Sequence, residues 1–163
     1  MMEIPDAAKL WKRALQAEWP GVRWSVRSAP RGWFSVITAW EDGPTENAVA
    51  VFCRAFKTVY PDAASWVRDS SFRRTYSPAG YAVVIEAITR DIPTMPIPRT
   101  PDGGLDIRAA RAQTWAGPVK VGGRFYGHKH VYDLVAVVEL VAADHDYTPS
   151  RATESGGPDA STE

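Results

Sequence analysis

A single cysteine, Cys53, is all the thiol that 163 residues contain. It lies in an apolar stretch, so no disulfide closes within the chain and no thiolate cluster holds zinc. This usage suits a reducing interior, and a cytoplasmic protein is expected. Long hydrophobic runs are also missing. None approaches the roughly 18 residues of a membrane span, and the N-terminus lacks a signal-peptide core, so no membrane association is expected. Histidine is scarce: His128 and His130 fall on one side of an expected strand, but no third ligand stands near them and no metal is assigned. Net charge of either sign is absent, with 19 basic against 19 acidic residues. Asp42, Asp62 and Asp69 have no Ser, His or Cys arranged beside them as an activated nucleophile. Gly103-Gly104 and Gly122-Gly123 are too short and wrongly placed to cradle a phosphate. No catalytic residue and no cofactor is singled out, and the sequence leans away from an enzyme.

What the chain does have is apolar content and aromatic rings. A hydrophobic fraction of 45% with seven Trp describes a packed globule, long enough for a real core without staples. A single α+β domain over residues 1–143 is expected, followed by a disordered acidic tail over 144–163, rich in Ser, Thr, Gly, Pro and Asp. The zero net charge hides an asymmetry. Residues 1–53 carry 6 charges of each sign, residues 54–129 carry 12 basic against 6 acidic, and residues 130–163 carry 1 against 7. A basic middle segment asks for an acidic partner.

Periodicity sets out the elements. Ala7, Leu10, Trp11, Ala14 and Leu15 form one stripe of a helix over residues 6–18, stopped by Pro20-Gly21. Val22, Trp24 and Val26 alternate with Arg23, Ser25 and Arg27 as in a half-buried strand. A turn at Pro30-Arg31-Gly32 leads to a second strand over Trp33 to Trp40, apolar on both faces, antiparallel to the first. Val49, Phe52, Cys53, Phe56 and Tyr60 then recur at helical spacing. Residues 61–76 sustain no period. Ser77-Pro78 reads as an N-cap and first-turn proline of a helix through Tyr81, Val84, Ile85 and Ile88, although Val83, Ile85 and Ala87 also fit one face of a strand. Four prolines and two glycines make residues 92–104 a linker or long loop,. A short helix over 105–115 is expected next. Val119–Val121 and Arg124–Tyr126 flank Gly122-Gly123 as a hairpin, and the β-branched run Val131 to Val141 reads as a closing strand. The fold expected is α+β: a helix-strand-strand-helix core on a small antiparallel sheet, extended by a C-terminal hairpin and strand.

The junction of second strand and second helix, Trp40-Glu41-Asp42-Gly43-Pro44-Thr45, is the densest signal in the chain. Gly43 supplies backbone angles closed to other residues, Pro44 fixes its own φ, and Thr45 is placed to cap the helix. Asp42, Gly43, Pro44 and Thr45 are read as a structural turn. Together with Trp19-Pro20-Gly21-Val22-Arg23-Trp24-Ser25-Val26-Arg27-Ser28, this stretch resembles large polyvalent protein associated domain 29, over residues 6–60. That family is similar in its opening helix, its first strand and a second strand closing on a DGPT-type turn. The chain departs from the pattern at Ala29–Phe34 and at Tyr60–Ala63. The resemblance implies a protein of phages or other mobile elements.

The remaining constellation is basic and aromatic: Trp66, Arg68, Phe72, Arg73, Arg74 and Arg90, with Tyr76. Arg and Trp are the residues enriched at interface hot spots, so these six are read as partner-binding. The leading expectation is a non-enzymatic phage or mobile-element protein binding a host protein, with host defence as a natural target. The alternative is a nucleic-acid-binding accessory domain that uses the same arginines on phosphates and the rings on bases.

Overall fold

A computed structural model describes residues 2–30, 35–127, 129 and 131–148. The chain begins with α1 (Ile4–Glu18), whose Ala7, Trp11 and Leu15 are fully buried. Strands β1 (Trp24–Ser28) and β2 (Val36–Glu41) pair antiparallel, Trp24 opposite Trp40 and Ser28 opposite Val36. Expected residues 31–34, including the rest of the turn and the start of the second strand, lie outside the described residues. Alternation in β2 sends Val36, Thr38 and Trp40 into the core, while Ile37 and Ala39 face outward, half-buried. Thr38 is buried without penalty because its hydroxyl accepts the Trp11 indole N–H at 2.9 Å,.

Helix α2 (Glu46–Val59) follows the turn, with the Thr45 hydroxyl accepting from Ala48 N at 3.1 Å. Residues 61–76, which show no period, fold as a short helix α3 (Pro61–Ala64) and a strand β3 (Val67–Thr75). β3 joins β2 in parallel, so the sheet has the order β1-β2-β3 and is mixed, not purely antiparallel. The reason β3 escapes a reading by alternation is visible in its register. Val36 faces Val67 and Thr38 faces Phe72, so two steps along β2 are spanned by five along β3. The bulged segment destroys the two-residue period. α1 and α2 cover one face of the sheet, around Trp11, Trp24, Trp40, Phe52, Phe56 and Phe72.

The second half builds its own core. Helix α4 (Pro78–Asp91) starts under the Ser77 cap and buries Val84, Ile85 and Ile88, which decides for the helix over the strand. Residues 92–104 contain no helix or strand beyond one bridge, Arg99 with Leu105, yet they bury Met95. The helix expected over 105–115 is shorter, α5 (Ile107–Arg111), and is followed by β4 (Thr114–Ala116). Strands β5 (Val119–Val121) and β6 (Arg124–Tyr126) form the hairpin, Gly122 and Gly123 both at positive φ. The expected closing strand is a correction. Only β7 (Val131–Asp133), paired with β4, is extended, and Leu134–Asp144 is a helix, α6. Asp133 caps that helix through Ala136 N at 2.8 Å. A helix apolar nearly all round belongs in the interior, where α6 buries Leu134, Val137 and Val138 completely. Burial overrides the extended preference of its valines.

Candidate interaction site

Two constellations stand out, and they share β3. The first joins the halves of the molecule. Asp42 takes φ 54° and Gly43 φ 57°, and Asp42 is the sole residue other than glycine with positive φ among the described residues. This bend lets the Asp42 carboxylate turn onto the start of α4, where it accepts from Ser77 N at 2.9 Å and from the Ser77 hydroxyl. A methyl group on Gly80 would lie 2.1 Å from the same carboxylate, so only glycine fits there,.

Arg74 closes the junction from beneath. Its Nε donates to Asp42 O at 2.9 Å and its Nη2 to Gly43 O at 2.9 Å and His145 O at 2.6 Å. Its Nη1 reaches Ala142 O and Ala143 O, carbonyls of the last turn of α6, the first of which also accepts from His145 N,. Tyr76 and Tyr147 lie on the guanidinium at 5.2 and 5.3 Å,. Tyr147 returns the contact: its N–H donates to Gly43 O at 3.0 Å and its hydroxyl to Gly80 O at 2.8 Å. Residues 145–147, assigned by composition to the tail, are therefore docked; residues 149–163 lie outside the described residues. Burial pushes the Tyr81 phenol up to about 12, with Glu139 beside it adding to the shift. Burial, with Asp42 next in effect, raises Tyr147 as well,.

The second constellation lies on the outer face of the sheet. A groove of about 400 Å³ runs between the end of β1 and the bulge of β3, lined by Ala29, Pro30, Ser35, Ile37, Arg68, Ser71 and Arg73. The described ends of the β1–β2 loop are drawn together where Ala29 N donates to Ser35 O at 2.9 Å. Ser71 donates to Ser35 across the groove at 3.5 Å. Arg27 stands opposite Ile37 in register and is exposed, so it adds a cation on the same face,. Asp69, within the same bulged segment, is exposed and is not among the described groove residues.

The six residues read as partner-binding thus separate. Arg68 and Arg73 come together in the groove, both exposed. Arg74 serves the junction. Phe72 is buried against Trp11 and Trp40, and the half-buried Trp66 donates its indole N–H to Met2 O at 3.0 Å. Arg90 lies at the end of α4 beside Asp91, away from the rest. His128 and His130 are outside the described residues. Sequence reasoning did not find Ser35 and Ser71, because nothing local tells a groove serine from a surface one, nor Tyr147, which lay within a stretch read as tail.

An α+β domain with a DGPT turn between its second strand and helix defines the class. Residues 2–88 match the family of large polyvalent protein associated domain 29, and the chain belongs to that family. The match extends the resemblance past residue 60 to include β3, Arg74, Ser77 and Gly80, the first half's share of the junction. The family is associated with the polyvalent proteins of phages. No curated protein and no solved structure matches the chain. No helix among the described residues is long and apolar enough to cross a membrane.

Proposed function

We propose that this protein is a non-enzymatic accessory protein of a phage or mobile element that binds a host protein, a defence component being the first class to test. The observation that carries the reading is the groove on the sheet's outer face, where Arg68 and Arg73 flank Ile37 with no acidic residue among the described residues of the lining. Exposed guanidiniums beside a half-buried apolar floor match the composition of protein interface centres. The nucleic-acid alternative relied on rings for stacking. Phe72 and Trp66 pack in the first core instead, so these two rings do not serve it at the groove.

The test is capture from host lysate by the full chain and by Arg68→Glu/Arg73→Glu, with single-stranded DNA and RNA binding measured in parallel across salt. A stoichiometric protein retained by the wild type and lost by the double variant supports the reading. Nucleic-acid binding with a steep salt slope, and no retained protein, sinks it.

A further inference from the structure

We propose that the groove holds a phosphate monoester carried on a side chain of the bound protein, an inference that rests on the reading above and gives its partner a chemistry. Four polar residues line it together: Arg68 and Arg73 from β3, Ser71 from the bulge between them, and Ser35 just before β2. The convergence is a product of the bulge. In a regular strand Arg68 and Arg73, five residues apart, would point to opposite faces, but the extra residues opposite Val36–Thr38 bring both to one groove,.

The donor set distinguishes phosphate from a simple carboxylate. A guanidinium presents parallel N–H groups that pair with two oxygens of an oxoanion. Arg73 donates through Nη1 to Phe72 O at 2.8 Å, which fixes its course along the strand. Ser35 is only 8% exposed and meets Ser71 at 3.5 Å, a long bond for two hydroxyls,. An arriving oxygen would offer both hydroxyls a charged acceptor in place of each other. Two cations and two hydroxyls suit the three terminal oxygens and near double charge of a phosphomonoester better than the two oxygens and single charge of a carboxylate. A phosphodiester backbone would also present two free oxygens and one charge per unit, and would have to run through a groove bounded by Ala29 and Pro30.

The experiment titrates the ¹⁵N-labelled full chain with the tripeptide Ala-phosphoserine-Ala, with Ala-Ser-Ala and with a phosphate-matched deoxynucleotide trimer, at constant ionic strength. Saturable shifts centred on Ser35, Arg68, Ser71 and Arg73, at least tenfold tighter for the phosphopeptide than for either other probe, are expected. Arg68→Lys and Arg73→Lys should each weaken binding about tenfold, the charge being kept and the fork removed, and Ser71→Ala a few-fold. Superposable amide spectra away from the groove certify that each variant is folded. Equal response to Ala-Ser-Ala, no saturation, or preference for the nucleotide trimer overturns the inference. Phosphatase treatment of the lysate before capture separates the two levels: a partner retained without its phosphates overturns the inference and spares the protein-binding reading, whereas no partner in either lysate counts against that reading itself.

Discussion

At the scale of residues, the junction around Asp42 explains why small changes there should act on folding. Gly43→Ala would place a methyl group 3.1 Å from Val22 at a φ of 57°, and a loss of about 1 kcal/mol or more is expected in denaturant melts. Gly80→Ala drives its Cβ onto the Asp42 carboxylate, and the two positions should couple. We expect the Gly80→Ala penalty to shrink by about 1 to 3 kcal/mol in an Asp42→Gly background, measured as a double-mutant cycle; additive effects would contradict the contact. Arg74→Lys keeps the charge but cannot serve five carbonyls on two segments, so a loss of about 1 to 3 kcal/mol is expected. The raised phenol of Tyr81 gives a pH signature. Below its unfolded value near 10 both states hold the proton and stability is level; between there and about 12 the unfolded chain ionises first, so stability falls as pH rises,. Tyr81→Phe should reduce that alkaline decline, followed by melting temperature from pH 9 to 12.

At the scale of elements, β3 and α6 show what periodicity conveys and what it omits. α1, α2 and α4 were legible because each repeats apolar residues at helical spacing and because Thr45 and Ser77 cap where expected. The hairpin was legible because Gly122 and Gly123 both need positive φ,. β3 was not, since its bulge and its arginines erase alternation, and its partner β2 lies across two intervening helices, α2 and α3. α6 reads as a strand because nine of the eleven residues from Val131 to Val141 are apolar and five of those are valine; once packed against α4 and α5, a largely apolar helix satisfies its own backbone while leaving Glu139 exposed,. Leu134→Ala should therefore lower stability by about 2 to 5 kcal/mol, and Asp133→Ala by about 0.5 to 2 through the lost cap. A strand there would make the Asp133 change nearly silent.

At the scale of the whole molecule, two cores are joined through one polar junction. The first core ends with Phe72 and the second begins with Tyr76 and Val84, while Arg74, Asp42 and Tyr147 bridge them. Truncation offers a direct measurement. Removing residues 149–163, which contain no large apolar side chain, should leave the melting temperature nearly unchanged. Removing residues 145–163 also strips the His145 carbonyl from Arg74 and Tyr147 from Gly43 and Gly80, and should lower it by several degrees.

By itself the sequence determined the class of the fold, the opening helix-strand-strand-helix order, the DGPT turn and the family, because these rest on contacts between residues close along the chain and on patterns of period 2 or 3.6. It also marked a basic middle segment. Only the tertiary structure decided which of those arginines face outward together. Arg73 and Arg74 are neighbours of the same type, yet one lines a groove and the other caps the end of α6. That division follows from the side of the pleat each occupies and from the bulge between Val67 and Phe72, and neither is written in composition or spacing.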